Sequence, residues 1–290
     1  MEASTLYPSK CILAEGPLWH KERKSCFWVD IESGVLYEYD WHTKEIRTWS
    51  FDYKVTLVIQ ALQNEVILGL NRSIARFDLD TEKLEWLVDL ENALPNNRCN
   101  DGACDRKGRI WVGTMAMDTQ EGAGALYCIE KDGHLQKKLE NVTISNGLAW
   151  SLDNRTFYYI DTPTQKVQSF LFNEESGEIV FDKIAVQIPA EMGSPDGMAI
   201  DEEGMLWIAH YGGFGVYRWD PNTGKLLEKI TVPAPNITSC AFAGENLDML
   251  IITTASENMS EVDLKQYPGS GNIFYVKTKV KGTLPFRCTW

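Results

Sequence analysis

Residues 145–162 read SNGLAWSLDNRTFYYIDT. An amide-Gly pair opens the stretch, a short apolar run follows, the polar cluster SLDNR interrupts it, and an aromatic-rich run ends it. Two strands joined by a turn account for that order. The pattern recurs along the chain. AEGPLWHKERKSCFWVD starts at Ala14, CNDGACDRKGRIWVGT at Cys99 and PDGMAIDEEGMLWIAHY at Pro195. SCAFAGENLDMLIITTA, from Ser239, keeps the shape but lacks the leading acid-Gly pair, and TLVIQALQNEVILGL, from Thr56, is a weaker copy.

The spacing identifies the architecture. Gly102 and Gly147 are 45 residues apart, Gly147 and Gly197 are 50, and Gly197 and Ser239 are 42. Gly16 and Gly102 are 86 apart, which is two steps with the weak copy between them. Six such units fill 290 residues, and a period of about 45 residues is that of a propeller blade of four short strands. A third strand follows each pair: VLYEYDW, SIARFDL, GALYCIE, VQSFLFN, GVYRWDP and NIFYVKT. The last unit ends short of a fourth strand, and the segment around Leu6 and Tyr7 is placed to supply it and close the ring. No window carries an amphipathic helix of three turns. The expectation is an all-β chain: a six-bladed β-propeller with four-stranded blades and a central metal site, one domain over residues 1–290, with its longest loops at 186–196 and 256–270.

Composition narrows the partners. Against 28 basic residues stand 41 acidic ones, a net charge of -13, which repels nucleic acid. The same charge is compatible with cation binding and with simple solubility. The seven Cys are scattered, odd in number and without a C-x-x-C pair, as expected of reduced, buried thiols in the cytoplasm. The start, MEASTLYPSK, has no basic and apolar signal regions, and no run is apolar enough to span a bilayer. No membrane partner is expected, and the N-x-S/T sequons at Asn141, Asn154, Asn236 and Asn258 are read as chance.

In a propeller the first strand of each blade lines the central channel, so equivalent positions converge on the axis. The residues before the repeated Gly are Glu15, Asp101, Asn146 and Asp196. Carboxylate and amide oxygens gathered in this way suit a hard cation, although Asp-Gly and Asn-Gly also form turns. With no His or Cys in the set, a structural zinc site is not expected.

Several longer stretches then take on a specific resemblance: CILAEGPLW, NNRCNDGACD followed by GRIWVGTMA, GALY, ISNGLAWSLDNRTFYYID, SPDGMAIDEEGMLWIA, TSCAFAGENLDMLIIT and the terminal VKGTLPF. The chain resembles the regucalcin/gluconolactonase (senescence marker protein) family, which includes luciferin-regenerating enzymes. The resemblance implies one divalent cation held by Glu15, Asn146 and Asp196. Ca²⁺ is the first expectation, and Zn²⁺, Mn²⁺ and Mg²⁺ fit the same oxygens. It implies substrate contacts from Arg98 and Asn100. A further family Glu lies before the GALY strand, where this chain has Gln120 and Glu121 on a shorter loop; Glu121 is assigned that role. Asp101 is expected to hold the loop rather than touch the cation, and His210 to serve packing.

The expected activity is hydrolysis of a small sugar lactone by metal-activated water. Asp196 would be ligand and general base, Arg98 would orient the substrate, and Asn100 would bind a hydroxyl or the developing oxyanion. No G-x-S-x-G elbow is present to form an acyl-enzyme. Organophosphate hydrolysis at the same calcium site and non-enzymatic calcium regulation are the alternative functions, and a propeller serving as an interaction scaffold is a third.

Overall fold

The computed structural model describes residues 1–62 and 64–290; Gln63, within the weak second copy, lies outside them. Six four-stranded antiparallel sheets are arranged as blades. Their inner strands are Ala14–His20, Val55–Gln60, Asn97–Cys104, Ser145–Trp150, Ser194–Ile200 and Ile237–Ala243. Each inner strand packs against that of the next blade, and the sixth returns to the first, so the ring is closed. Ser4–Tyr7 pairs antiparallel with Ile273–Lys277, Ser4 facing Tyr275, and becomes the outer strand of blade 6. The expected closure by the N-terminus is therefore observed, and it leaves no open sheet edge between first and last blade.

The turn clusters have a defined local cause. In DRKGRIW, Asp105 Oδ1 accepts from the backbone of Lys107 and Arg109, while Oδ2 accepts from Trp111 Nε1 at 2.9 Å and Arg109 Nε at 2.6 Å. In DEEGMLW, Asp201 repeats this with Glu203, Met205, Trp207 Nε1 and Arg218 Nε. One buried carboxylate thus fixes the turn and orients the Trp that fills the space between blades. Trp19, Trp28, Trp111 and Trp207 are among the largest fully buried side chains.

Two loop expectations are adjusted. Strand Glu178–Gln187 runs into the first expected loop, leaving a short connection with a 3₁₀ turn at Ala190–Met192. The second contains an α-helix, Glu261–Gln266, started by a Ser260/Asp263 capping box. Short helices of this kind depend on a cap and carry no long apolar period. No helix among the described residues is long and apolar enough to cross a membrane.

Candidate functional site

Every inner strand carries a β-bulge. In blade 1 the register shifts between Glu15 and Leu18, in blade 3 between Cys99 and Gly102, in blade 4 between Asn146 and Leu148, and in blade 5 between Pro195 and Met198. Blades 2 and 6 shift at Val55/Leu57 and Ile237/Ser239. A bulge re-aims a side chain within a strand. The acid-Gly and amide-Gly pairs are these bulges, not hairpin turns. Three of their glycines serve close approach: a Cβ on Gly102 would meet Leu57 Cδ2 at 2.9 Å, one on Gly147 Asp196 O at 2.8 Å, and one on Gly197 Ser239 Oγ at 2.1 Å, whereas Gly16 supplies a left-handed φ of 57°. In those three the glycine is what lets adjacent inner strands close on the axis.

The side chains so aimed feel one another. Glu15, Asp101 and Asp196 come from blades 1, 3 and 5, and their charges interact. Burial, then Asp101, pushes the Glu15 carboxyl up to about 8. Burial raises Asp101 to about 6. Burial, then Glu15 and Asp101, holds Asp196 well above the usual carboxylate range, and the nearby Arg98 offsets only part of this. Asp196 is 7 % exposed, and its Oδ1 has no hydrogen-bond partner. Glu15 Oε2 and Asp101 Oδ1 each accept only from the next backbone N–H, Gly16 at 3.0 Å and Gly102 at 2.7 Å.

A chain of hydrogen bonds joins the remaining residues across blades 3, 4 and 5. Arg98 Nη1 donates to Asn100 Oδ1 and to Cys99 O. Asn100 Nδ2 donates to Ser145 O at 2.7 Å and to Asn146 Oδ1 at 3.2 Å. Asn146 Nδ2 donates to Thr162 Oγ1, whose hydroxyl donates to Pro195 O, both at 2.8 Å. Asn146 therefore has its NH₂ turned outward and its carbonyl oxygen turned toward Asn100. Asn97 anchors the segment from behind, donating to Glu91 Oε2 and Ala123 O.

Of the expected residues, Glu15, Arg98, Asn100, Asn146 and Asp196 are brought together, with Asp101 beside them. Glu121 is exposed on the turn before Gly124–Ile129. His210 is fully buried, its Nδ1 3.0 Å from Met192 O and its ring stacked on Tyr217 at 4.0 Å. Sequence reasoning passed over Glu32 and Glu257, whose charges act on Arg98, and Lys54, which pairs with Glu32. Tyr211 joins them by donating to Glu257 O at 3.3 Å. Glu32 follows the second strand of its blade, Ser25–Asp30, and Glu257 follows Met249–Thr254. In an antiparallel pair that end adjoins the start of the inner strand, and this register was the available signal.

Among the described residues no group of three or more His, Cys, Asp and Glu side chains forms a metal cluster on its own. The donor set is mixed, carboxylates plus the Asn146 amide. Mutually repelling, half-buried and buried carboxylates with an orphan Oδ1 on Asp196 nevertheless fit a hard divalent cation.

The shifts set a pH dependence for the cation-free protein. Glu15 and Asp101 bind protons more tightly folded than unfolded. Stability is then full below about pH 4 and falls as pH rises toward 8. Urea midpoints in chelator should decline across that window, and adding a divalent cation should remove the decline. A flat profile in chelator would mean that neither burial nor mutual repulsion disfavours the charged carboxylates.

Comparison with known proteins identifies the family and the fold. A family model described as the SMP-30/Gluconolactonase/LRE-like region matches residues 13–256. The chain belongs to this family. It is 34 % identical over 285 residues to the putative sugar lactone lactonase YvrE of Bacillus subtilis (strain 168), covering 98 % of both chains. It is 34 % identical to Homo sapiens regucalcin, covering 96 % of this chain and 95 % of the relative. The structure of a luciferin-regenerating enzyme superposes with a TM-score of 0.92 at 29 % identity, over 97 % of each chain. Membership extends over every blade that contributes to the site.

Proposed function

We propose that this protein is a divalent-cation-dependent sugar lactone hydrolase whose site is the axial cluster of Glu15, Asn146, Asp196, Arg98 and Asn100. One observation carries the proposal: three carboxylates from three blades, Asp196 buried and Glu15 and Asp101 half-buried, gather around one point without enough positive charge to neutralise them. The lactonase name of the Bacillus subtilis relative supports the substrate class.

Glu15, Asn146 and Asp196 would hold the cation, Ca²⁺ being the first candidate for an all-oxygen set. A cation bound there supplies Lewis acidity toward a carbonyl oxygen and makes water a better nucleophile. Asp196 Oδ1, the oxygen without a partner, receives the proton of the attacking water. Arg98 is 8 % exposed and offers its guanidinium to substrate oxygens, fixing the ring for attack. Asn100 spends its NH₂ on blade 4, so it keeps Arg98 and Asn146 in register and meets substrate through that network. Glu121 contributes a contact from the loop before Gly124. The seven free, buried Cys suit a reducing, cytoplasmic setting.

The test is a pH-indicator hydrolysis screen of aldonolactones, repeated with each cation after chelation. Relatives named regucalcin favour a second reading, calcium binding without turnover. Calcium binding with no hydrolysis of any lactone would establish that reading instead. Within the first, Arg98→Ala should lower kcat/KM by about 10- to 100-fold. Cation affinity, read by calorimetry, should stay the same or rise slightly, because a nearby positive charge is gone. A large loss of cation affinity would place Arg98 in support of the metal cradle instead.

A further inference from the structure

Below the carboxylates the channel widens into a cavity of about 450 Å³. That volume is in the range of small-molecule sites. Four consecutive blades line it with one alanine each, Ala103, Ala149, Ala199 and Ala241. Short side chains at these places leave the axis unfilled, whereas larger ones would have packed it to the usual interior density. The C-terminal segment closes the outer end. Gly282 N–H donates to Leu247 O in blade 6, Thr283 N–H to Ile200 O in blade 5, and Cys288 N–H to Gln60 O in blade 2. Leu284 and Phe286 are thereby strapped across the opening.

A second feature points to a ligand. Asn154 lines the cavity, is 3 % exposed, and neither its Nδ2 nor its Oδ1 has a hydrogen-bond partner. A buried amide with both ends unpaired is costly and uncommon.

We propose that this cavity binds one neutral, largely hydrocarbon small molecule carrying a single hydroxyl or amide group, which the Asn154 side chain holds. The lining selects that class. A polyhydroxylated sugar would lose its hydration among carbon atoms with few partners to replace it. An anion would also face Asp101, while the one cationic residue on the lining, Arg106, is 60 % exposed and pairs with Glu174 at 3.9 Å. The cavity is thus distinct in chemistry from the carboxylate cluster above it.

The test uses the full chain, with N-phenyl-1-naphthylamine as a neutral fluorescent probe and 1-octanol as competitor. Expected is saturable binding of one probe per chain, displaced by 1-octanol. Ala103→Leu and Ala241→Leu, at lining positions that are only half-buried, should each weaken probe binding tenfold or more with native far-UV circular dichroism. Where leucine is not tolerated, the valine variant is used. Asn154 has a left-handed backbone, φ 58°, so Asn154→Gly removes the amide without strain. That variant should weaken 1-octanol about tenfold. Absence of saturable binding, several probes per chain, or unchanged affinity in both filled variants overturns the site. Unchanged 1-octanol affinity in Asn154→Gly overturns the anchor.

Discussion

Asp196→Asn should lower kcat for aldonolactone hydrolysis by about 10²-fold or more while a divalent cation still binds measurably. Asn is nearly isosteric and keeps a carbonyl oxygen able to coordinate, but it accepts no proton at neutral pH. The fold around it should be undisturbed, because the conformation of this strand comes from its bulge and from Gly197 packed against Ser239. The substitution also removes one of three mutually repelling carboxylates. Asp196, whose ionisation is opposed by burial and by Glu15 and Asp101, is then gone, and the cation-free variant should be more stable than the parent near pH 8. A gain in stability beside a collapse in turnover separates a functional carboxylate from a structural one. Asp196→Ala removes ligand and base together, so affinity and turnover should both be lost. Cation titration by calorimetry and initial rates on one lactone read out both variants. Near-parental turnover in Asp196→Asn would make Asp196 a ligand only. Asp101, beside it in the cluster, would then be the next candidate for the base; His210, stacked and buried against Tyr217, would not.

The fold was legible because its repeat is long and each copy carries local chemistry. DRKGRIW and DEEGMLW look alike because each turn needs an Asp that caps it and binds the following Trp. The convergence of Glu15, Asn146 and Asp196 was legible from their common place before a glycine. The reason for that place was not. The pairs resemble turn dipeptides, and only the register shows them to be bulges whose glycines admit the neighbouring blade. Glu32, Lys54 and Glu257 were missed because they lie on loops flanking the repeated strands, where only strand register marks them. Asn154 was hidden for another reason. In SLDNR it reads as an ordinary turn residue, and its left-handed backbone makes it one, while the burial of its unpaired amide beside the channel cavity arises only in the folded ring.

Chelation should abolish lactone hydrolysis and leave the propeller folded. The blades are held by antiparallel pairing and by aromatic packing between sheets, exemplified by Trp111 edge-on to Trp150 with centroids 5.9 Å apart. The ring is closed by Ser4–Tyr7. Neither depends on the axis. The proposed cation contacts only bulge residues of inner strands, whose conformation the glycine contacts already impose. Far-UV circular dichroism should therefore be unchanged in chelator. Melting should still shift, since a cation at 100 times its Kd adds about 2.7 kcal/mol to the native state. The shift should be larger at pH 8 than at pH 5, because only at the higher pH are the carboxylates charged and in need of neutralisation. Turnover is expected to return on adding back Ca²⁺, Mn²⁺, Mg²⁺ or Zn²⁺ to different extents, since an all-oxygen set discriminates weakly among them. Full activity in excess chelator at pH 8 would remove the cation from the chemistry. Hydrolysis would then rest on Arg98 and the carboxylates alone. Loss of secondary structure in chelator would give the cation a folding role and tie the blades to the axis.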